Sequence, residues 1–271
     1  MTSVAFITGG ASGFGLELTK KLRALGWTVY AADKDSKAVA LTKEFGAVPV
    51  TLDVTDAKKT KSAIDALIKK EGRLDLLVAN AGFGNFSTVE EMTSEQVQQI
   101  FAVNVFGAEA CIRAALPQMR KQRSGRILIT TSVVAHVSLA GLGWYAATKH
   151  AMKAVANALR QEVRELGVFV STIEPGTSKT GFGAVAFGLL KDGRSVSEYD
   201  TVMKGVNKWL GGMYRISPGP QKVVNKMLKA ATSARPRAHY PASWDVRALK
   251  VVFYVVPRRW LDDFILWLAK H

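Results

Sequence analysis

The stretch that decides the fold is Val4-Ala5-Phe6-Ile7-Thr8-Gly9-Gly10-Ala11-Ser12-Gly13-Phe14-Gly15. It starts with an apolar run of strand length, and a helical pattern of apolar residues begins at Gly15. Glycines between a strand and a helix permit a tight turn and let the backbone approach a pyrophosphate. The helix N-terminus supplies free N–H groups for that phosphate. The stretch therefore predicts a strand–turn–helix unit that binds a dinucleotide.

The rest of the chain alternates short apolar runs with helical patterns. The runs lie at 28–32, 48–52, 74–79, 126–131 and 168–173, and the helical patterns at 15–25, 58–70, 94–119, 144–165 and 221–231. This alternation predicts an α/β fold in which helices cover both faces of one parallel sheet of about seven strands. We expect a single domain over 1–271. Residues 176–220 have no clear period and are expected to form a substrate-binding loop or lid.

Composition and charge narrow the function classes. The 271 residues are 48% apolar, which argues against disorder, and one cysteine excludes a disulfide framework. Four scattered histidines and one cysteine predict no metal site. The net charge is +15, and residues 201–260 hold 12 basic residues against one acid, Asp245. Such asymmetry suggests a nucleic acid, a membrane surface or an acidic substrate. Without a secretory leader or a long apolar stretch, we expect a cytoplasmic protein.

A carboxylate after the second predicted strand bears on the cofactor. Asp33 can accept hydrogen bonds from both adenosine ribose hydroxyls and would repel a 2′-phosphate, so it favours NAD over NADP. Ser12 in the glycine loop adds no positive charge. Lys34 and Lys37 keep NADP open, because flexible basic side chains can accommodate the phosphate.

A tyrosine, a lysine and a serine suggest acid–base chemistry. Tyr145 and Lys149 are four residues apart and share one helix face. A phenol has a pKa of about 10 in a model peptide. A neighbouring ammonium and a cationic nicotinamide ring both favour the phenolate, which can act as a base near neutral pH. Ser132 ends the fifth predicted strand and adds a hydroxyl at the same edge of the sheet.

The chain resembles the short-chain dehydrogenase/reductase family, whose domain is of Rossmann type. The matching motifs come in the family's order and spacing over residues 4–180. They are Thr8-Gly-x-x-x-Gly-x-Gly15, Asp53 before Val54, Asn80-Ala81-Gly82, Asn104, Ser132, Tyr145-x-x-x-Lys149, and Pro175-Gly176 followed by Thr180.

The resemblance implies roles for these residues. Ser132 would hydrogen-bond the substrate oxygen, Tyr145 would exchange a proton with it, and Lys149 would bind the nicotinamide ribose. Asn104 would hold a water that relays protons, or mainly hold a helix kink. The implied cofactor-binding set is Gly9, Ser12, Gly13, Phe14, Gly15, Asp33, Lys34, Asp53, Val54, Asn80, Ala81, Gly82, Tyr145, Lys149, Pro175, Gly176, Ser178 and Thr180. Asn80 has an alternative role in tying strands together.

The predicted reaction is NAD(H)-dependent interconversion of a secondary alcohol and a ketone or aldehyde. Candidate substrate residues are largely apolar and predict a small apolar alcohol or ketone of steroid, retinoid or lipid type. They are Val134, His136, Phe182, Trp209 and Met213. The alternative is that they form the lid's own core or a subunit contact. Other readings are an NADPH-dependent ketone reductase and a non-catalytic dinucleotide-binding module.

The end of the chain, 244–271, is an apolar, Trp-rich helical tail. With Pro236-Arg237-Ala238-His239-Tyr240 before it, it resembles retinol- and 17β-hydroxysteroid-dehydrogenase-like members of the family. It is expected to pack on the domain or a sister subunit, or to lie peripherally in a membrane interface beside basic residues. The resemblance implies a homodimer or homotetramer through the helices at 94–119 and 144–165. The basic residues do not accompany a nucleic-acid motif, so no nucleic-acid partner is expected.

Overall fold

The computed structural model describes residues 2–179, 196–242, 246, 252 and 255–270. Seven strands form one parallel sheet in the order β3-β2-β1-β4-β5-β6-β7. The strands are β1 (Val4–Thr8), β2 (Thr28–Asp33), β3 (Val48–Thr51), β4 (Leu76–Ala79), β5 (Gly125–Thr130), β6 (Val168–Glu174) and β7 (His239–Pro241). The predicted doubly wound fold is confirmed, and the chain reverses its direction of strand addition between β1 and β4.

Nine helices of the described part surround the sheet. They are α1 (Gly13–Ala24), α2 (Ser36–Leu41), α3 (Ala57–Glu71), α4 (Ser94–Phe101), α5 (Ala108–Gln122), α6 (Gly143–Glu162), α7 (Asp200–Ile216), α8 (Gln221–Thr232) and α9 (Arg258–Lys270). A π-helical turn, Ala102–Gly107, joins α4 to α5. Short 3₁₀ turns lie at Thr42–Phe45, Val133–Ala135, Arg164–Leu166 and Ser197–Tyr199.

The two faces of the sheet hold two hydrophobic cores. Val4 and Phe6 of β1 pack in the core that α3, α5 and α6 complete. Ala5 and Ile7 point the other way, into the core that α1 and α8 complete. Because successive side chains of a strand alternate between faces, a strand covered on both faces must be apolar throughout. This explains the continuous apolar runs in the sequence.

Helix α7 lies where the sequence predicts an irregular lid. Met203, Val206 and Leu210 are buried on it at positions i, i+3 and i+7. These residues form one apolar stripe, which suffices for a helix against a domain surface. Glycines at 205, 211 and 212 obscure that period in the sequence. The prediction of an irregular 176–220 segment is therefore wrong for 200–216, whereas 180–195 lies outside the described residues.

The helix Ser94–Gln122, α4 through α5, meets the length and hydropathy of a membrane span by composition alone. Core helices of soluble proteins pass the same test. Ile100, Cys111, Ala115 and Met119 are buried on it, and α5 packs against α3, β4 and β5. We therefore interpret it as a core helix.

Candidate active site

The site lies at the carboxyl edge of the sheet, beside the β1–β4 switch. Thr8, Asp33 and Glu174 end β1, β2 and β6, whereas Asn80 and Ser132 follow β4 and β5. Parallel strands bring these ends to one edge, where open α/β sheets bind their ligands.

In the glycine loop between β1 and α1, the absence of side chains lets backbone segments pack closely. Gly9 and Gly13 have φ of +63° and +49°, which disfavours side chains there. A Cβ on Gly15 would lie 2.0 Å from the carbonyl oxygen of Gly9. Ser12 is the N-cap of α1 but makes no side-chain hydrogen bond to its first turn. The backbone N–H groups in the first turn of α1 therefore stay available to donate to a pyrophosphate, so this loop fits a dinucleotide.

Asn80 ties the central strands together. Its Nδ2 donates to the Thr8 carbonyl at 3.1 Å, and its Oδ1 accepts from Thr130 Oγ1 at 3.1 Å. The backbone N–H groups of Asn80 and Ala81 both donate to Thr8 Oγ1 at 3.0 Å. These contacts support the strand-tying role, and cofactor contact through Asn80 stays a prediction.

Two carboxylates flank the region predicted for the adenosine. Asp33 is partly buried at the end of β2. Asp53 is exposed and accepts hydrogen bonds from Thr55 N (2.9 Å) and Thr55 Oγ1 (2.7 Å). These bonds, with a smaller contribution from the charge of Lys34, hold the pKa of Asp53 below its ordinary value. Val54 is buried where a Cβ on Gly107 would come within 2.6 Å of it.

Asn104 sits in the π-helical turn, where its side-chain amide makes three hydrogen bonds. Its Oδ1 accepts from Phe83 N (3.0 Å), and its Nδ2 donates to Phe83 O (2.9 Å) and Thr148 Oγ1 (3.1 Å). A Cβ on Gly82 would lie 2.9 Å from Asn104 Oδ1 and 3.5 Å from Lys149 Nζ. Gly82 thus lets these side chains come close. The side chain of Asn104 fixes the turn, and its water-holding role stays a prediction.

Ser132, Tyr145 and Lys149 come together in a buried group. Ser132 follows β5, and the Val133 N–H next to it donates to Pro175 O at 2.8 Å. Ser132 Oγ accepts from Val134 N at 3.3 Å, and a hydrogen bond between the Ser132 and Tyr145 side chains lowers the pKa of Tyr145. Lys149 Nζ donates to Thr130 O at 3.0 Å and lies 5.7 Å from the centroid of the Tyr145 ring. A hydroxyl, a phenol and an amine therefore converge beside the glycine loop.

Burial dominates the proton affinities of this group. Burial raises the pKa of Tyr145 above its ordinary value, and the hydrogen bond with Ser132 opposes that rise. Burial also lowers the pKa of Lys149 to about 8. Removing both groups from water favours their neutral forms. That a neighbouring ammonium and a cationic nicotinamide ring together favour the phenolate stays a prediction.

Comparison with known proteins identifies the family. The family model for short chain dehydrogenase matches residues 3–187. The chain is a short-chain dehydrogenase/reductase. It is 32% identical to the uncharacterized oxidoreductase YbbO of Escherichia coli, over 98% of this chain and 94% of that protein. It is 28% identical to a 3-ketodihydrosphingosine reductase of Bacteroides thetaiotaomicron, over 98% and 96%. A short-chain dehydrogenase/reductase from Burkholderia phymatum, solved with NAD, matches with a TM-score of 0.81 and 26% identity, over 93% and 92%.

The surroundings of Tyr145, where the sequence predicts substrate contacts, are apolar. Val134 and Leu142 share one buried cluster with Tyr145 and with Val206 and Leu210 of α7. Trp209 is partly exposed and Met213 half-buried on the same helix. Gly176 and Ser178 follow β6, whereas Thr180 and Phe182 lie outside the described residues.

His136 belongs to a network that sequence reasoning missed. Its Nδ1 is 2.8 Å from Lys153 Nζ, and its Nε2 is 3.3 Å from Glu174 Oε2. Glu174 is fully buried, and its Oε1 lies 3.1 Å from both Thr172 Oγ1 and His239 Nδ1. The Nδ1 atom of His136 is held by Lys153, whereas its buried Nε2 lies near Glu174 without a hydrogen bond. Contact of His136 with substrate stays a prediction. The one signal for Glu174 is an acid at the end of an apolar strand, directly before Pro175.

Proposed function

We propose that this short-chain dehydrogenase/reductase interconverts a secondary alcohol and its ketone with NAD(H), using Tyr145 as the acid–base residue. The observation that carries the proposal is the buried convergence of Ser132, Tyr145 and Lys149 beside the glycine loop. The nicotinamide, when bound, supplies the hydride chemistry. In the oxidative direction, Ser132 Oγ binds the substrate oxygen and Tyr145 Oη accepts the hydroxyl proton. In the reductive direction, Tyr145 Oη returns that proton.

Lys149 has a positioning and an electrostatic role in this proposal. Its amine is held by Thr130 O on the same side as the phenol ring. In a site that excludes water, a positive charge at that distance acts strongly on a developing phenolate. Because burial alone raises the pKa of Tyr145, proton acceptance near neutral pH needs the protonated form of Lys149 together with the positive ring of oxidised NAD.

The test of the acid–base role is Tyr145→Phe, which removes only the hydroxyl. Purified variants are assayed with NAD against a panel of steroid, retinoid and aliphatic secondary alcohols. We expect kcat/KM to fall by about 10²–10⁴-fold with NAD affinity little changed. Tyr240→Phe is the matched control, because Tyr240 is also buried but its hydroxyl accepts from Arg237 N, away from this site. Near-normal turnover by Tyr145→Phe would exclude the mechanism.

The preference for NAD is proposed from Asp33 at the end of β2. A 2′-phosphate near a carboxylate is repelled, whereas ribose hydroxyls can donate to it. We expect Asp33→Ala to lower the NAD/NADP ratio of kcat/KM by about 10-fold or more. Asp35→Asn is the control, since it removes one charge nearby while keeping the oxygen that caps α2. Better use of NADP than NAD by the wild type would support the alternative, an NADPH-dependent ketone reductase.

An apolar, lipid-like substrate is proposed from the walls around Tyr145. The cluster that holds Tyr145 consists of aliphatic and aromatic side chains from α4, α6 and α7 and the segments between them. Such walls select by apolar contact, with Ser132 and Tyr145 as the polar anchors. The relative named 3-ketodihydrosphingosine reductase, whose name denotes a lipid ketone, supports the same class. The alcohol panel checks this point, because short polar alcohols should have the highest KM.

A further inference from the structure

Helix α9 presents a row of large aromatic side chains to solvent. Trp260, Phe264 and Trp267 are 67%, 55% and 54% exposed. Their spacing of four and three residues places them on one face of the helix, and the rings of Phe264 and Trp267 stack with centroids 6.2 Å apart. Aromatic side chains carry the largest hydrophobic area of any residue type. This aromatic row therefore leaves a large apolar area in contact with water.

Helix α9, to which the aromatic row belongs, is held against the domain by packing on its other side. Leu261 of α9 is buried, and α9 packs against α7. The same contact turns the aromatic row away from the domain. Two further apolar residues are exposed: Val255 just before α9 is 71% exposed, and Ile216 at the end of α7, the helix against which α9 packs, is 81% exposed. Exposed apolar area of this extent marks an interaction surface.

The charge around the aromatic row selects the kind of partner. Arg258 and Arg259 are exposed in the first turn of α9, and Arg258 pairs with Asp262 at 3.8 Å. Arg215 is exposed on α7, as is Lys204, which pairs with Asp200 at 3.0 Å. Residues 201–260 hold 12 basic residues against one acid. The two acids of α9, Asp262 and Asp263, leave this excess in place. A second copy of the chain would bring the same positive charge to the contact, whereas an anionic lipid surface would neutralise it.

We propose that the aromatic row of α9 docks this protein on anionic membranes, with the rings of Trp260, Phe264 and Trp267 at the boundary of headgroups and acyl chains. An amphipathic helix with aromatic residues on one face and basic residues nearby binds in that plane. The location of the aromatic row also fits the proposed action on an apolar substrate, and its connection to the active site rests on that proposed function. Helix α7, against which α9 packs, contributes Val206 and Leu210 to the cluster around Tyr145. Docking therefore brings the wall of the site next to a source of apolar substrate.

The experiment is sedimentation of the full-length protein with vesicles of phosphatidylcholine, with or without about 30% phosphatidylserine. The variant is the triple substitution Trp260→Gln, Phe264→Gln and Trp267→Gln. Because these side chains are exposed, the variant should keep its fold. The matched control replaces three exposed apolar residues elsewhere by Gln, namely Leu25, Leu41 and Val89, which are 58%, 59% and 64% exposed.

We expect the wild type and the control to pellet with the phosphatidylserine vesicles, less so at high salt, and the triple variant to bind about 10-fold more weakly or not at all. Tryptophan emission of the wild type should shift to shorter wavelength on binding. Equal binding by the triple variant, or no binding by the wild type, would overturn the proposal. A change of oligomeric state in the triple variant without a change in lipid binding would assign the aromatic row to a subunit interface instead. Turnover of a water-soluble alcohol should be the same in all three proteins, which separates this test from that of the catalytic proposal.

Discussion

At the scale of single residues, Lys149 supplies a positive charge for the proposed catalysis but lowers the stability of the folded protein. An amine with a pKa of about 8 is still mostly protonated at pH 7, so the folded protein keeps a cation away from water. One hydrogen bond to Thr130 O offsets part of that cost. Such a residue is expected where a positive charge is needed for chemistry rather than for folding.

Lys149→Met should therefore stabilise the protein at pH 7 while abolishing turnover. The lowered pKa means that stability is lost as pH falls from about 10.5 to about 8, because the folded state binds that proton less readily than the unfolded state. The replacement removes this loss and should raise the free energy of unfolding by about 1–3 kcal/mol at pH 7. Urea unfolding at pH 7 and pH 9.5 measures it. The gain should shrink at the higher pH, and a gain independent of pH would contradict the explanation.

The residues that sequence reasoning could place are those whose chemistry fixes their type. Gly9 and Gly13 need positive φ, and Ser132, Tyr145 and Lys149 supply a hydroxyl, a phenol and an amine at one edge. The network of Glu174, His136 and His239 could not be predicted. Its members come from three separate segments, and a buried carboxylate looks the same in a sequence as an exposed one.

At the scale of elements, Glu174 joins three parts of the chain. Its carboxylate connects β6 to His239 of β7 and to His136, which follows the turn after Ser132. Glu174→Ala removes the hydrogen-bond partner of Thr172 Oγ1 and His239 Nδ1 from a fully buried position and should lower the free energy of unfolding by about 1–3 kcal/mol. Chemical denaturation measures the change, with Glu165→Ala, an exposed site on a 3₁₀ turn, as the control. A loss no larger than that of the control would show that the network is not a structural tie.

Two glycines allow a matched comparison, Gly15 at the start of α1 and Gly211 within α7. In Gly15→Ala the new Cβ would lie 2.0 Å from Gly9 O, so the loop must shift. We expect NAD affinity to fall by about 10-fold or more, because the phosphate-binding N–H groups move with the loop. Gly211→Ala is the control, since its Cβ meets open space within α7. It should raise the free energy of unfolding by up to about 1 kcal/mol. Unchanged NAD affinity in Gly15→Ala, measured by titration, would contradict the role of the loop.

The strands were more predictable from sequence than the helices on the surface. All six strands that the sequence predicts are present, because a doubly covered parallel sheet requires runs of apolar residues. Strand β7 is three residues long and completes the predicted total of about seven strands. Helices α2 and α7 were missed, since the former is six residues long and the latter contains three glycines between and after its buried residues.

At the scale of the whole molecule, the positive charge and the chemistry occupy different parts of the chain. The glycine loop and the Ser132–Tyr145–Lys149 group lie within residues 1–180, and the basic excess lies beyond them. The parts nevertheless belong to one sheet, because β7 at 239–241 pairs with β6. Helix α8 fills the core against α1. Structure that is shared in this way should unfold as one unit.

We expect a single cooperative thermal transition that NAD shifts as a whole. A ligand that binds only the folded state adds about 2.7 kcal/mol at 100 times its Kd. For a domain of this size, that corresponds to a rise in Tm of about 5–10 °C. Scanning calorimetry with NAD, with NADP and without cofactor measures it, and NADP should give the smaller shift because of Asp33. Two transitions of which NAD moves only one would contradict a single domain over 1–271. A single transition that neither cofactor moves would contradict the dinucleotide site, since Gly9, Gly13 and Gly15 would then serve chain packing alone.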